Sequence, residues 1–316
     1  MTLSKTETYT VLVIKRRVFA AGVLLFAFTL SGPARPLAQA IARSMYVSAL
    51  DETGAPAPDL GPSDFVVRED NVAREVLRVA PADAPMQVAV IVDNSEAAGD
   101  HIADIRRGLA DFVDLMTAPS ATGRNNDLAI VTVGERPTIL ADFTRDRAQL
   151  QKGVNRIFAQ SRSAAYLLQG LIEVSHGLKK REAQRPVIVA ITAEGPEYSS
   201  RYFEQVLAPL REAGAQFHAL VLGPPSNDIG DEAHNRAVVL DEGTRTSGGR
   251  YENLLASTAL PATLKRLAAE LTHQYLVTYA RPQSLIPPEH VTVRAARPGL
   301  TARGTLINDQ REQGRP

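Results

Sequence analysis

Hydrophobic positions change their period twice along this chain, and the changes divide it into parts. Between Ser44 and Val79, short β-rich runs such as Tyr46-Val47-Ser48-Ala49-Leu50, Phe65-Val66-Val67 and Val76-Leu77-Arg78-Val79 are separated by turn residues such as Thr53-Gly54. Residues 81–85 read as a linker. Beyond it, nearly continuous apolar runs at 86–92, 127–133, 186–191 and 217–222 predict strands buried on both faces, with a shorter strand at 138–141. Amphipathic stretches alternate with them. Ile102, Ile105, Leu109, Phe112, Val113 and Met116 share one helical face, with Asp100 placed to cap its start. Leu150, Val154, Ile157 and Phe158 mark a second helix. Further helices are predicted over 165–180, over 203–210 with a stop at Gly214, over 237–246 with a stop at Gly248-Gly249, and over 260–271.

This alternation predicts an α/β fold: a doubly wound, mainly parallel sheet with helices on both faces. After residue 273 the period returns to two, in Tyr275-Leu276-Val277-Thr278-Tyr279 and Val291-Thr292-Val293-Arg294. A module of residues 41–82 is too small to bury much alone. The late strands, within 274–308, are therefore expected to complete it as a small β-sandwich into which the α/β domain, 83–273, is inserted. Residues 309–316 read as a flexible tail.

The first forty residues follow a different plan. Lys15-Arg16-Arg17 precede an apolar run from Val18 to Leu30, and Ala38-Gln39-Ala40 follows Gly32-Pro33. This is the layout of a signal peptide, with cleavage expected near Ala40 and a periplasmic or secreted product. The run is shorter than the roughly 20 residues that cross a bilayer, so an N-terminal membrane anchor is the alternative. Arg16-Arg17-Val18-Phe19 also resembles a twin-arginine signal, from which Lys15 and Ala20 depart.

Composition narrows the function. Thirty-five basic and 35 acidic residues leave no net field to draw the chain to nucleic acid or to anionic lipid. The absence of cysteine removes disulfides, thiolate metal sites and cysteine nucleophiles. No G-x-G-x-x-G follows the first α/β strand, and G-x-x-x-x-G-K-[ST], G-x-S-x-G and H-E-x-x-H are all missing. His218, inside an apolar run, is expected to be a satisfied core or edge residue. His176 and Lys179-Lys180-Arg181 are expected in solvent at a helix C-terminus.

The best candidate surface lies where the run 86–92 ends, at Asp93-Asn94-Ser95-Glu96-Ala97. In an open parallel sheet, ligands bind beyond the carboxyl ends of the strands where the winding reverses. Two more loops should converge there, one holding Ser163 and one holding Ala193-Glu194.

Asp93-x-Ser95 after a buried strand, Ser163 two helices later and the strand Val187-Ile188-Val189-Ala190-Ile191-Thr192 together resemble the von Willebrand factor type A domain, over roughly residues 86–274. The flanks Asp64-Phe65-Val66-Val67-Arg68-Glu69-Asp70 and Gln274-Tyr275-Leu276-Val277-Thr278-Tyr279 resemble those of the von Willebrand factor A-related proteins of acidobacteria. The resemblance implies a protein-binding module with a metal-ion-dependent adhesion site, in which an Asp-x-Ser-x-Ser loop, a threonine and an aspartate hold Mg²⁺. Asp93 and Ser95 match that pattern, and Ser163 offers the second-loop hydroxyl. Ala97 stands in place of the second serine and Ala193 in place of the third-loop aspartate. Magnesium requires hard oxygen ligands near octahedral geometry, and each alanine deletes an oxygen. Glu96 and Glu194 carry carboxylates displaced by one residue. Three readings follow: a corner formed by Asp93, Ser95, Glu96, Ser163 and Glu194 that binds a protein through a degenerate site, with or without Mg²⁺; a metal-independent scaffold in which Asp93 and Ser95 only satisfy backbone donors; and an unrecognised hydrolase using Ser95. The first is the leading one, and it is not an enzyme.

Overall fold

The structure, a computed structural model, describes residues 40–119, 125–225, 230–283, 288 and 290–307. Residues 1–39 of the expected signal peptide and the expected tail lie outside the described residues. No described helix is long and apolar enough to cross a membrane.

Six strands form the central sheet. In chain order they are β5 (Gln87–Val92), β6 (Asp127–Thr132), β7 (Thr138–Thr144), β8 (Pro186–Ala193), β9 (Gln216–Leu222) and β10 (Tyr251–Leu254), arranged β10-β9-β8-β5-β6-β7. All pair in parallel except β7, which runs antiparallel to β6 at one edge. The continuous apolar runs are continuous because consecutive side chains enter opposite layers. Val88, Val90, Val187, Val189 and Ile191 pack into one core with α1 (Ile102–Thr117), α2 (Arg147–Asn155) and α6 (Leu260–Thr272). Ile91, Ile188, Ala190, Phe217 and Val221 enter the other with α3 (Leu167–Lys180), α4 (Phe203–Ala213) and α5 (Asp231–Ser247). The expected doubly wound fold is thus realised with helices on both faces. The winding reverses between β5 and β8, which places Asp93 and Ala193 on either side of the switch crevice.

Strands from both flanks make two further antiparallel sheets. One has the order β13-β1-β11-β4, from β1 (Ala40–Leu50), β4 (Val76–Pro81), β11 (Tyr275–Pro282) and β13 (Thr301–Leu306); the other has β12-β2-β3, from β2 (Phe65–Glu69), β3 (Val72–Arg74) and β12 (Val291–Ala295). Met45, Val47, Phe65, Val67, Val277, Tyr279 and Val293, drawn from both sheets, close over one apolar core.

A buried polar network fastens this sandwich to the α/β unit. Gln274 Nε2 donates to Ser48 Oγ at 2.8 Å and to Gln216 Oε1 at 2.9 Å, while its Oε1 accepts from Arg185 at 2.6 Å. Arg185 also donates to the carbonyls of Ala82, Ala84 and Leu271. The two backbones approach closely at Gly248, where a Cβ would run into the Gly304 carbonyl oxygen of β13, and next to it, within the α/β unit, a Cβ at Gly249 would run into the Phe217 carbonyl oxygen.

Three expectations change. Asp100 does not cap α1: residues 96–101 form a 3-10 turn that runs directly into the helix, whose N-cap is His101. The helix expected through Phe158 stops at Asn155, leaving Ile157 buried and Phe158 exposed in the following loop. His218 is fully buried, yet neither ring nitrogen has a hydrogen-bond partner among the described residues.

Candidate functional site

Asp93 is the first residue beyond β5, and its backbone N–H still donates to the Ile191 carbonyl on β8. Its side chain then turns inward. Oδ1 accepts from the Ser95 N–H at 2.8 Å, which closes the turn leading into residues 96–101, and Oδ2 accepts from Thr192 Oγ1 and from the Ala193 N–H, both at 3.1 Å. Both oxygens of a buried carboxylate are therefore occupied by the chain's own donors. One pair closes the first loop and the other ties it to the third.

The second loop is fastened to the first through Asn94. Asn94 Oδ1 accepts from Gly134 N at 2.8 Å, its Nδ2 donates to the Phe158 carbonyl at 2.8 Å, and its own carbonyl accepts from Gln160 N at 2.8 Å. Glu96 Oε2 accepts from Arg162 N at 2.7 Å, with Arg162 in the left-handed region at φ 55°. The Ser163 hydroxyl donates within its own turn, to the Gln160 carbonyl at 2.7 Å. Second and third loops are joined in turn by Ala165 N to the Pro196 carbonyl and Tyr198 N to the Ala165 carbonyl. The fold thus gathers the three loops: Asp93 and Glu96 accept hydrogen bonds that tie one loop to another, while the Ser163 hydroxyl bonds within its own turn.

Two residues that the sequence reading did not single out change the character of this corner. Arg236, on α5, is buried at 7% exposure; its guanidinium donates to the Ala193 carbonyl at 2.9 Å and to Thr192 Oγ1 at 3.4 Å, and pairs with Glu194 Oε2 at 3.2 Å. Glu197, also buried, accepts from Leu167 N at the start of α3 and from Ser199 N. Burial raises the Glu197 carboxyl above the usual carboxylate range, against the pull of its Ser199 hydrogen bonds and the Arg236 charge. Arg236 left a trace in the sequence: Arg236, Val239, Leu240 and Gly243 share one helical face and are all buried, so a charge interrupts an apolar stripe. Setting the helix start at 237 hid it.

The residues do not fit a family-type magnesium site. Ala97 and Ala193 supply no side-chain oxygen, and a Cβ at Gly195 would lie 2.6 Å from that of Ala97, so the first and third loops pack closely at that point. Asp93 has no oxygen free of internal donors, and the nearest carboxylate of the third loop, Glu194, already faces a fixed positive charge. Among the described residues, no group of three or more His, Asp or Glu side chains is arranged to hold a metal ion.

Three large aromatic side chains on or next to these loops are exposed. Phe158 is 60% exposed, Tyr198 60% and Tyr202 68%, all on the second and third loops or at the entry to α4. Tyr198 meets Tyr166 edge to face at 6.4 Å, and Arg106 lies 4.3 Å from the centre of the Phe158 ring.

The family model described as the von Willebrand factor type A domain matches residues 88–195, from β5 to the loop after β8. The chain therefore carries a von Willebrand factor type A domain. No curated protein sequence matches it. Among solved structures, it is similar to a mutant of the PilB minor pilin from Streptococcus sanguinis, at 13% identity over 60% of this chain and 61% of that one, with a TM-score of 0.42. It is also similar to proximal thread matrix protein 1 from the mussel byssus, at 15% identity over 65% and 50%, TM-score 0.46. A third is the von Willebrand factor type A protein from Catenulispora acidiphila, at 11% identity over 87% and 73%, TM-score 0.44. The chain spans less than two thirds of the pilin and half of the byssus protein.

Proposed function

We propose that this chain is an exported, non-enzymatic protein-binding module of adhesion or assembly type, whose von Willebrand factor type A domain captures a partner at the corner of Asp93, Ser95, Glu96, Ser163 and Glu194 without Mg²⁺. The observation that carries the reading is the exposure of Phe158, Tyr198 and Tyr202, which lie on or next to the second and third loops. Rigid aromatic side chains supply large contact area at little entropic cost, and such residues concentrate in protein interfaces. The balanced charge of the chain speaks for a protein partner over nucleic acid or a lipid surface. Export rests on the signal-like first forty residues. Ser95 is a poor nucleophile here, since no histidine is hydrogen-bonded to it among the described residues.

Site-specific photo-crosslinking in the producing cell tests the reading. A photoreactive residue at Tyr198 or Tyr202 is expected to trap one protein, and the same group at Leu115 or Ile139, exposed on α1 and β7, is expected not to. Equal trapping from all four positions, or capture unchanged when Asp93 and Ser95 are both replaced, would favour a scaffold that binds through other faces. That scaffold reading gains support from Asp93, whose carboxylate is spent internally.

A further inference from the structure

We infer that Arg236 is the built-in cation of this corner, a side chain that takes over the charge-balancing and loop-tying work a divalent ion would do between the first and third loops. The inference rests on the metal-free reading of the corner and is independent of whether the exposed aromatic side chains bind protein.

A site of two aspartates and a divalent ion is near neutral. Here Ala193 removes one aspartate, leaving Asp93 and Glu194 as the carboxylates at the crevice, and one fixed positive charge pairs directly with Glu194 and is linked to Asp93 through the Thr192 hydroxyl. Arg236 supplies it from α5. The guanidinium reaches Asp93 through Thr192: its Nη2 lies 3.4 Å from Thr192 Oγ1, which in turn lies 3.1 Å from Asp93 Oδ2. The same nitrogen holds the Ala193 carbonyl at 2.9 Å, and Nη1 holds Glu194 at 3.2 Å. One planar group therefore contacts three successive residues of the third loop.

Arginine suits this role for physical reasons. It stays charged at every pH the fold experiences, it is less strongly hydrated than an ammonium, and its fork matches carboxylate and carbonyl acceptors together. A buried arginine without such acceptors would be strongly destabilising, and Arg236 shares the buried face of α5 with Val239, Leu240 and Gly243. The device is also permanent. A chelator removes a metal ion but cannot remove a side chain, so the corner is set by folding alone.

The experiment is thermal unfolding of the full chain and of Arg236→Met and Arg236→Lys, each in EDTA and in millimolar Mg²⁺ or Mn²⁺ at constant ionic strength. The wild type is expected to unfold at the same temperature in all conditions, within about 1 °C. Arg236→Met should lose on the order of 5 °C or more in EDTA and regain part of it with Mn²⁺, because a mobile cation can then pair with Glu194, the carboxylate that has lost its partner. Arg236→Lys keeps the charge without the fork. It should sit between the two and show no response to divalent ions. An arginine that merely packed and donated hydrogen bonds would give a methionine variant that is destabilised but indifferent to Mn²⁺, and that result overturns the inference. So does a lysine variant no more stable than the methionine one, a readout that holds even if Arg236→Met fails to fold.

Discussion

The guanidinium of Arg236 donates to the carbonyl of Ala193 at 2.9 Å, at the point where the resemblance to the family places an aspartate. That one contact reorganises the corner. A position that would have contributed a carboxylate to a metal contributes only its backbone, which is held by a side chain from α5, three elements later in the chain. Asp93 keeps its place at the switch crevice and its link to the third loop, but as a structural acceptor.

Asp93 should therefore matter to stability as well as to the surface. Asp93→Ala leaves the Ser95 and Ala193 N–H groups without an acceptor in a buried setting and the Thr192 hydroxyl with only the Ala193 carbonyl at 3.4 Å, and it should cost about 3 kcal/mol. Asp93→Asn retains one acceptor oxygen and should cost roughly half as much. Urea unfolding of the three proteins reads the difference, and an alanine variant as stable as wild type would remove Asp93 from its structural role.

Gly249 is a second sharp test. A Cβ there would overlap the Phe217 carbonyl, which is backbone and cannot swing aside. Gly249→Ala is expected to lose more than about 3 kcal/mol by denaturant unfolding, whereas alanine at Gly177, where a Cβ meets nothing within 4 Å, should be neutral or slightly stabilising.

Acid sensitivity should trace to His218. Burial pushes its pKa down to about 4, against the charge of Glu270 on α6, while Arg303 and Arg250 press in the same direction as burial. The folded value lies below the unfolded one of about 6.5, so the unfolded chain binds the extra proton. Stability is present in full above pH 6.5 and drains as pH falls towards 4, by roughly 3 kcal/mol in all. His218→Gln should flatten the loss between pH 6.5 and 5, above the range where ordinary carboxylates contribute. An unchanged slope in that window would show that His218 is not the group responsible.

The junction of sandwich and α/β unit should depend on Gln274. Gln274→Leu strips partners from Ser48, Gln216 and Arg185 together and should cost about 2 to 4 kcal/mol. Limited proteolysis should then cut the 81–85 connection faster than in wild type, and equal cutting rates would show that the network is dispensable to the junction.

How far these features could be read from sequence follows from their physics. The central strands were legible because a run such as 86–92, apolar at every position, leaves a strand buried on both faces as the natural explanation. Asp93 stood out as the polar residue that ends one. Strand β10, with the sequence Tyr-Glu-Asn-Leu, carries no such signal: it is a short edge strand held by its pairing to β9. Strand β13 was similarly faint, since Gly304 breaks its pattern, and that glycine is there because a Cβ would lie 2.7 Å from the Val293 side chain. Glu197 was invisible because burial in a loop has no period. Arg236 was legible in principle, as a charge on an apolar helical stripe, but it stands one residue before the predicted start at 237 of a helix that begins at Asp231. The loop of Ser163 meets the first loop through the Arg162 N–H and Glu96, but the direction of a hydroxyl within a turn is decided by the local backbone, which offers it the Gln160 carbonyl.

The central claim, that this corner is organised without a metal ion, is tested most directly by calorimetric titration of the folded chain with Mg²⁺ and Mn²⁺, alongside Asp93→Asn. The account predicts no saturable heat in either protein up to millimolar metal. Stoichiometric binding by the wild type that disappears in Asp93→Asn would contradict it, and would return Asp93 to service as a metal ligand.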